Sequence, residues 1–204
     1  MDLSLLVRGT ILGFSIAAPV GPIGVLVIRE SMTAGRKAGL LTGLGAATAD
    51  GFYGLIGGLG LTAVSALLVS HATALRVVGG LFMLWLGART FLAPPAIDAA
   101  AVASRGDGRI FLTGLLLTVT NPMTILSFAA MFAGLGVASG LDGSGSGVVT
   151  LVAGVLSGSA AWWLILSGAA SIAGRRLTPS RLRWVNRGSG LIIAAFGTVA
   201  LVAA

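Results

Sequence analysis

This sequence has few charged residues and no cysteine. Only 9% of its 204 residues are charged, whereas a soluble domain carries about 25%. Since 56% of the residues are hydrophobic, most of the surface is expected to face lipid. Cysteine is absent, which excludes disulfides and thiolate metal sites.

The net charge of +7 is the one feature that would suit a nucleic-acid partner. The cations lie between apolar runs and form no basic stripe on a soluble fold, so the expected partner is the lipid bilayer and not a nucleic acid. The length leaves no room for a second, soluble domain of ordinary size, so residues 1–204 are predicted to form a single transmembrane domain. The first apolar stretch follows no basic segment and is interpreted as a retained helix, not a signal peptide.

Six apolar runs predict an all-α integral membrane protein with six transmembrane helices, because a spanning helix needs about 20 apolar residues. The connectors between alternate runs hold 11 of the 13 Lys and Arg residues. Short cytoplasmic loops are enriched in these residues, so both termini are predicted to lie outside the cytoplasmic membrane. The runs are 3–28, 38–69, 74–93, 109–135, 148–173 and 187–203, and the basic connectors are 29–37, 89–109 and 174–187.

The order of the runs predicts a 3+3 inverted-topology repeat. The first repeat spans about 1–93, the second about 109–204, and a cytoplasmic linker of about 94–108 joins them. The two triplets of helices would then have opposite orientation in the membrane.

Prolines interrupt the first helix of each triplet. Pro19 and Pro22 lie in the first run and Pro122 lies in the fourth. A proline removes a backbone donor, and paired interruptions in the two halves of a membrane protein point to a transporter binding site. The alternative is a pair of packing kinks, since proline and glycine are common in membrane helices. The other prolines are placed in loops: Pro94, Pro95 and Pro179.

Asp50 is the only acid deep within an apolar run. It lies about 12 residues into the second run, roughly 18 Å from the cytoplasmic end, near the middle of a ~30 Å hydrocarbon core. An Asp there costs about 2.5–3.5 kcal/mol, so it should face protein or water and serve as a proton or amine site, or else as a structural hydrogen-bond partner. The small residues near its helical face predict a close helix contact: Gly43, Ala46, Ala47, Gly54 and Gly57.

The fifth run offers hydroxyl groups but no acid. Ser157 or Ser159 would lie opposite Asp50 if the halves are symmetric, or would bond back to its own backbone. Trp162 and Trp163 lie in the middle of this run, where they either pack in the core or form the wall of a cavity.

No cofactor, metal or nucleotide site is expected from the sequence. His71 is the only histidine and is placed in an outer loop. The glycine-rich stretch 43–45 follows no strand, which argues against dinucleotide binding, and no nucleotide motif supports direct ATP drive.

Four short motifs occur in a characteristic order. They are Pro-Val-Gly-Pro at 19–22, Gly-Arg-Lys-Ala-Gly at 35–39 leading through 43–47 to Asp50, Leu-Trp-Leu-Gly at 84–87, and Asn-Pro-Met at 121–123. In this order the chain resembles the LysE/RhtB family of amino-acid exporters over almost its whole length. It departs from the family at Met123, where many members have Lys, and at Trp85, where many have Tyr. Some members also carry a second acid in helix 5, where this chain has serines.

The resemblance implies a secondary transporter, not an enzyme, that exports amino acids or close derivatives and is coupled to protons or to membrane potential. Alternatives are an exporter of metal or other inorganic cations, a membrane-embedded enzyme and a non-transporting membrane subunit. The substrate, the coupling ion and the oligomeric state, including a homo-oligomer, stay open. The residues expected to bind substrate or protons are Asp50, Tyr53, Pro19, Gly21, Pro22, Thr120, Asn121, Pro122, Ser159 and Trp162.

Overall fold

A computed structural model describes residues 2–19, 21–59, 70–93, 106–121, 123–128, 145–174 and 178–203. Throughout these ranges the regular structure is helical and no strand occurs, which confirms the all-α prediction. Besides a helical segment at 123–128, the helices are α1 (Leu3–Ala17), α2 (Pro22–Ala34), α3 (Arg36–Gly58), α4 (Ala72–Leu92), α5 (Asp107–Val119), α6 (Gly145–Gly174) and α7 (Pro179–Val202).

Three of these helices are individually long and apolar enough to cross a membrane. They correspond to Thr73–Leu92, Ser146–Gly174 and Ser180–Val202. The pair α1 and α2 also qualifies by length and composition if it counts as one bent span. The described part of the chain is therefore that of a multi-pass membrane protein.

The first apolar run forms two helices instead of one. The axes of α1 and α2 differ by 81°. Pro22 is the first residue of α2, where its missing N–H costs nothing because the first amides of a helix have no intrahelical partner. Continuing α1 through Pro22 would place the proline ring against a carbonyl of the preceding turn.

The fourth run is interrupted at the corresponding place. Helix α5 ends at Val119, and residues 120–121 separate it from the helical segment 123–128. Pro122 itself lies outside the described residues, as do Pro94, Pro95 and most of the predicted 94–108 linker.

Glycines set the spacing between the helices. The main helix pairs are α1 with α6, α3 with α5, α3 with α6, and α4 with α7. A side chain at Gly13 would meet the backbone of Val155, and one at Gly114 would meet the backbone of Thr42. These contacts put backbones in direct contact across the helix pairs, as small residues do in membrane bundles.

Two predicted boundaries are wrong. The connector 29–37 is mostly helix, because α2 continues to Ala34 and buries Arg29. Pro179 does not lie in a loop but is the first residue of α7, so that helix begins eight residues before position 187. In both cases cations that the sequence assigned to loops lie on a helix.

Candidate functional site

Asp50 lies in the interior of the helix bundle. Its residue is 2% exposed, and the Oγ of Ser159 on α6 donates a hydrogen bond to its Oδ2 at 2.6 Å. The indole Nε1 of Trp163 donates in turn to the Ser159 Oγ at 3.0 Å. Ser159 and Trp163 are four residues apart and therefore share a helix face. One helix thus supplies a two-step donor chain that ends on the carboxylate.

Asp50 faces a cavity of about 210 Å³, which we call the Asp50 cavity. Both helix breaks border this space, so residues from the two halves of the chain meet beside one carboxylate. Its lining includes Pro19, Gly21, Pro22, Ile23, Gly24, Asp50, Thr118, Asn121 and Trp163.

The start of α2 lies at the Asp50 cavity, which Ile23 and Gly24 both line. Among the described residues, the first backbone bond at this end of α2 runs from the Val25 N–H to the Gly21 carbonyl, at 3.0 Å. A helix N-terminus of this kind attracts anionic groups.

Side chains hold the backbone of the second break. The Tyr53 hydroxyl donates to the Val119 carbonyl at 2.7 Å. The Oδ1 of Asn121 accepts from the Met123 N–H at 3.1 Å, as an N-cap residue does. The Thr120 hydroxyl donates to the Leu116 carbonyl of its own helix at 2.8 Å.

Of the ten residues that the sequence predicted to bind substrate or protons, some line the Asp50 cavity and others lie outside its lining. Asp50, Pro19, Gly21, Pro22 and Asn121 line the Asp50 cavity. Ser159 contacts Asp50, and Ser157 is exposed and bonds to its own helix at the Ala153 carbonyl. Tyr53 and Thr120 contact the backbone around the second break, Trp162 packs edge-on against Phe14, and Pro122 lies outside the described residues.

Sequence reasoning named both Trp162 and Trp163 as possible cavity walls and selected Trp162 as the site residue. Trp163 is the one that borders the cavity, and its spacing of four residues from Ser159 was the signal that could have decided between them. Sequence reasoning missed a buried group at the far end of α2. There the Arg29 guanidinium pairs with Glu30 and its Nε donates to the Asn186 Oδ1 at 3.0 Å.

No cation of the described residues forms a salt bridge with Asp50. In the part of the chain that is described, the salt bridges are Arg29–Glu30 and the exposed Lys37–Asp107. Neither involves Asp50, which faces the cavity with a single hydroxyl donor on one oxygen. Such a carboxyl can bind a proton or an ammonium group.

Known proteins resemble this chain over most of its length. The LysE type translocator family matches residues 14–204. The uncharacterized membrane protein YahN of Escherichia coli (strain K12) is 30% identical over 175 residues, which cover 84% of this chain and 77% of the relative. The threonine efflux protein of the same organism is 27% identical, with 87% of each chain covered.

A further relative is the putative amino acid efflux protein YcgF of Bacillus subtilis (strain 168). It is 25% identical over 92% of this chain and 90% of the relative. No solved structure matches the chain at a significant level. The family match extends from the last turn of α1 to the final residue and includes both helix breaks and Asp50, so the chain belongs to the LysE type translocator family.

Proposed function

We propose that this translocator exports small amino acids or close derivatives across the cytoplasmic membrane as a secondary transporter. The observation that carries the proposal is the carboxylate of Asp50, 2% exposed, facing a cavity between two broken helices. An ionisable group within a membrane bundle is a functional candidate because its burial is costly.

The chemistry of the Asp50 cavity suits a zwitterion. Asp50 would bind the ammonium group, and the amides of Ile23 and Gly24 at the start of α2 would bind the carboxylate. Broken helices of transporters present half-helix N-termini to anionic groups of substrates in this way. One carboxyl group in the cavity favours neutral amino acids over those with a second positive charge.

The size of the cavity favours a small solute. About 210 Å³ is below the roughly 300–1,000 Å³ of pockets for drug-sized ligands. Threonine is a small amino acid, and a relative named for threonine efflux makes it the first solute to test.

Coupling would follow from the single carboxyl group. A protonated Asp50 carboxyl is neutral and no longer attracts an ammonium group. Proton binding and amine binding at Asp50 would therefore alternate. The other proposed contacts, Tyr53, Asn121 and the remaining residues of the two breaks, would shape the cavity around this exchange. Membrane potential is the alternative driving force.

The pairing of helices supports a 3+3 inverted repeat, with repeats of about 1–93 and 109–204 and a linker of about 94–108. Exchanging the halves maps α1 to α5, α3 to α6 and α4 to α7. The contacts α1–α6 and α3–α5 then exchange, and α3–α6 and α4–α7 each map to themselves. A two-fold axis in the membrane plane, with both termini outside, predicts this pattern.

The proposal is tested by counterflow in proteoliposomes with a panel of amino acids that includes threonine, homoserine and lysine. We expect wild-type protein to accumulate labelled small neutral amino acids. In Asp50→Asn this flux should fall by a factor of about ten or more, because the variant loses a hydrogen-bonded charge. Asp107→Asn is the matched control, because it removes an exposed carboxylate outside the cavity.

Equal flux in wild type and Asp50→Asn would remove Asp50 from the mechanism. Equal accumulation with and without protein would reject amino-acid transport. Orientation is tested separately: an impermeant thiol reagent added outside should modify Gly143→Cys and leave Ser180→Cys unmodified.

A further inference from the structure

A second cavity lies at the other end of α2. It has a volume of about 420 Å³ and is bordered by α2, α3, α4 and α5. We call it the arginine-lined cavity, because Arg29, Arg89 and Arg109 all border it, together with Glu30 and Trp85.

The two cavities follow one another along the same helices. On α2, Ile23 lines the Asp50 cavity and Leu26, about one turn further, lines the arginine-lined cavity. On α3, Thr42 precedes Asp50 by eight residues, or about 12 Å of helix. On α5, Thr113 precedes Thr118 by five residues in the same direction. The two cavities are therefore neighbours along the same three helices.

The described lining of the second cavity carries more positive than negative charge. It holds three guanidinium groups and one carboxylate, and that carboxylate, Glu30, pairs with Arg29. Arg89 and Arg109 have no carboxylate within 4 Å among the residues that the structure describes. Arg89 lies over the ring of Trp85, 5.1 Å from its centroid, and such a contact leaves the planar N–H groups available.

The position of this cavity favours a solute over a fixed structural ion. The exposed Lys37–Asp107 pair joins the first residues of α3 and α5 and marks the water-facing end of both helices. The arginine-lined cavity lies between that end and Asp50. In the orientation predicted from the charges of the connectors, this end faces the cytoplasm, from which an exporter takes its substrate.

We propose that the arginine-lined cavity is a carboxylate-binding site, in which Arg89 and Arg109 bind the α-carboxylate of an amino acid before it reaches Asp50. This assignment rests on the function proposed above and narrows its substrate class to solutes with a free carboxylate. Amines and amino-acid amides are excluded at this point, because they offer the two guanidinium groups no anionic partner. Arginine binds carboxylates through two parallel N–H groups, which makes the selection geometric as well as electrostatic.

Trp85 provides a binding signal that does not require transport. Purified protein in detergent is titrated with threonine and with threonine amide while tryptophan fluorescence is followed, and Trp85→Phe identifies the part of the signal that comes from this cavity. We expect threonine to bind about tenfold or more tightly than the amide. Arg89→Gln and Arg109→Gln should each weaken threonine binding by about 10- to 100-fold, the loss expected for a hydrogen bond to a charged group, and leave amide binding within about threefold.

Arg183→Gln is the matched control, since it removes an exposed cation of α7 that does not border the cavity. Arg89→Lys keeps the charge and should recover part of the affinity, which separates binding from folding. Elution as a single species in gel filtration confirms that each variant is folded.

The proposal is overturned if wild type binds acid and amide equally, or if both glutamine variants keep the wild-type preference. It is also overturned if the arginine variants change flux only in vesicles that contain phosphatidylglycerol, because a lipid phosphate would then be the occupant. Failure of the proposed function has a different signature: wild type then shows no threonine flux, whereas the Trp85 titration still reports whether carboxylates bind.

Discussion

The two helix breaks that border the Asp50 cavity are similar in the helix that precedes each break and different in the residues that follow it. In each case a glycine shortly before the break, Gly13 or Gly114, lies against the backbone of a partner helix. Beyond the break, the residue before α2 is Gly21, which offers no side-chain cap, whereas the Asn121 side chain before the segment 123–128 accepts a bond from the Met123 N–H. Tyr53 adds a bond to the Val119 carbonyl at the second break only.

The difference indicates a division of roles between the halves. At the second break, the side chains of Tyr53 and Asn121 bond to the backbone. At the first break, Ile23 and Gly24 line the cavity, where a solute or water can reach them. We therefore expect the first break to respond to substrate and the second to act as a fixed wall.

The glycines before the breaks should give the largest effects. Gly13→Val and Gly114→Val each force a side chain into a neighbouring backbone, and we expect each to destabilise the protein by about 3 kcal/mol. Denaturant unfolding in detergent measures the change. Gly188→Ala, where an added Cβ meets nothing within 4 Å, is the control. A large difference between the two valine variants would show that the halves already differ before the breaks.

Removal of the tyrosine hydroxyl should have the next largest effect. Tyr53→Phe leaves the Val119 carbonyl without its donor, which costs about 1–3 kcal/mol. The same unfolding assay measures this loss, and threonine counterflow shows whether flux falls with it. Unchanged stability would mean that the second break is not held by this bond.

The cap of the second break should contribute less. Asn121→Ala removes the bond to the Met123 N–H, and the loss of an N-cap side chain costs about 1 kcal/mol. Because Tyr53 and Asn121 act on the same break, the double variant should depart from the sum of the single effects. If the two losses of stability simply add, the Tyr53 and Asn121 contacts are energetically independent.

The first break should tolerate substitution best. An added Cβ at Gly21 meets nothing within 4 Å, and the residue has an extended backbone that alanine also adopts. We expect Gly21→Ala to change stability by less than about 0.5 kcal/mol. If this variant is as unstable as Asn121→Ala, the first break is fixed as firmly as the second, and the proposed difference between the two breaks is wrong.

The local sequence pattern predicted the helix breaks and the burial of Asp50. Proline predicts where helices end, and a lone carboxyl in an apolar run predicts its own burial, so the breaks and the interior position of Asp50 follow from the sequence. The choice between Ser157 and Ser159 did not follow, because it depends on how α6 is rotated against α3. The structure settles it by the bond from Ser159 to Asp50.

Contacts between residues far apart in the sequence could not be predicted from the local sequence pattern. Arg29 was assigned to a water-facing connector because cations normally lie in water, yet it is buried beside Glu30 and bonds to Asn186, 157 positions away. The start of α7 was missed because its first turns carry arginines that resemble a loop. Both errors arise from treating charge as a marker of loops when a tertiary partner or a helix face can also accommodate it.

The hydroxyl between Trp163 and Asp50 has only one proton to give. It now points at the carboxylate, while the indole, which can only donate, occupies one of its lone pairs. If Asp50 bound a proton on Oδ2 and donated it to Ser159, the hydroxyl would turn from donor to acceptor and direct its own proton elsewhere. The orientation of one O–H bond on α6 would thereby depend on whether the acid on α3 is charged.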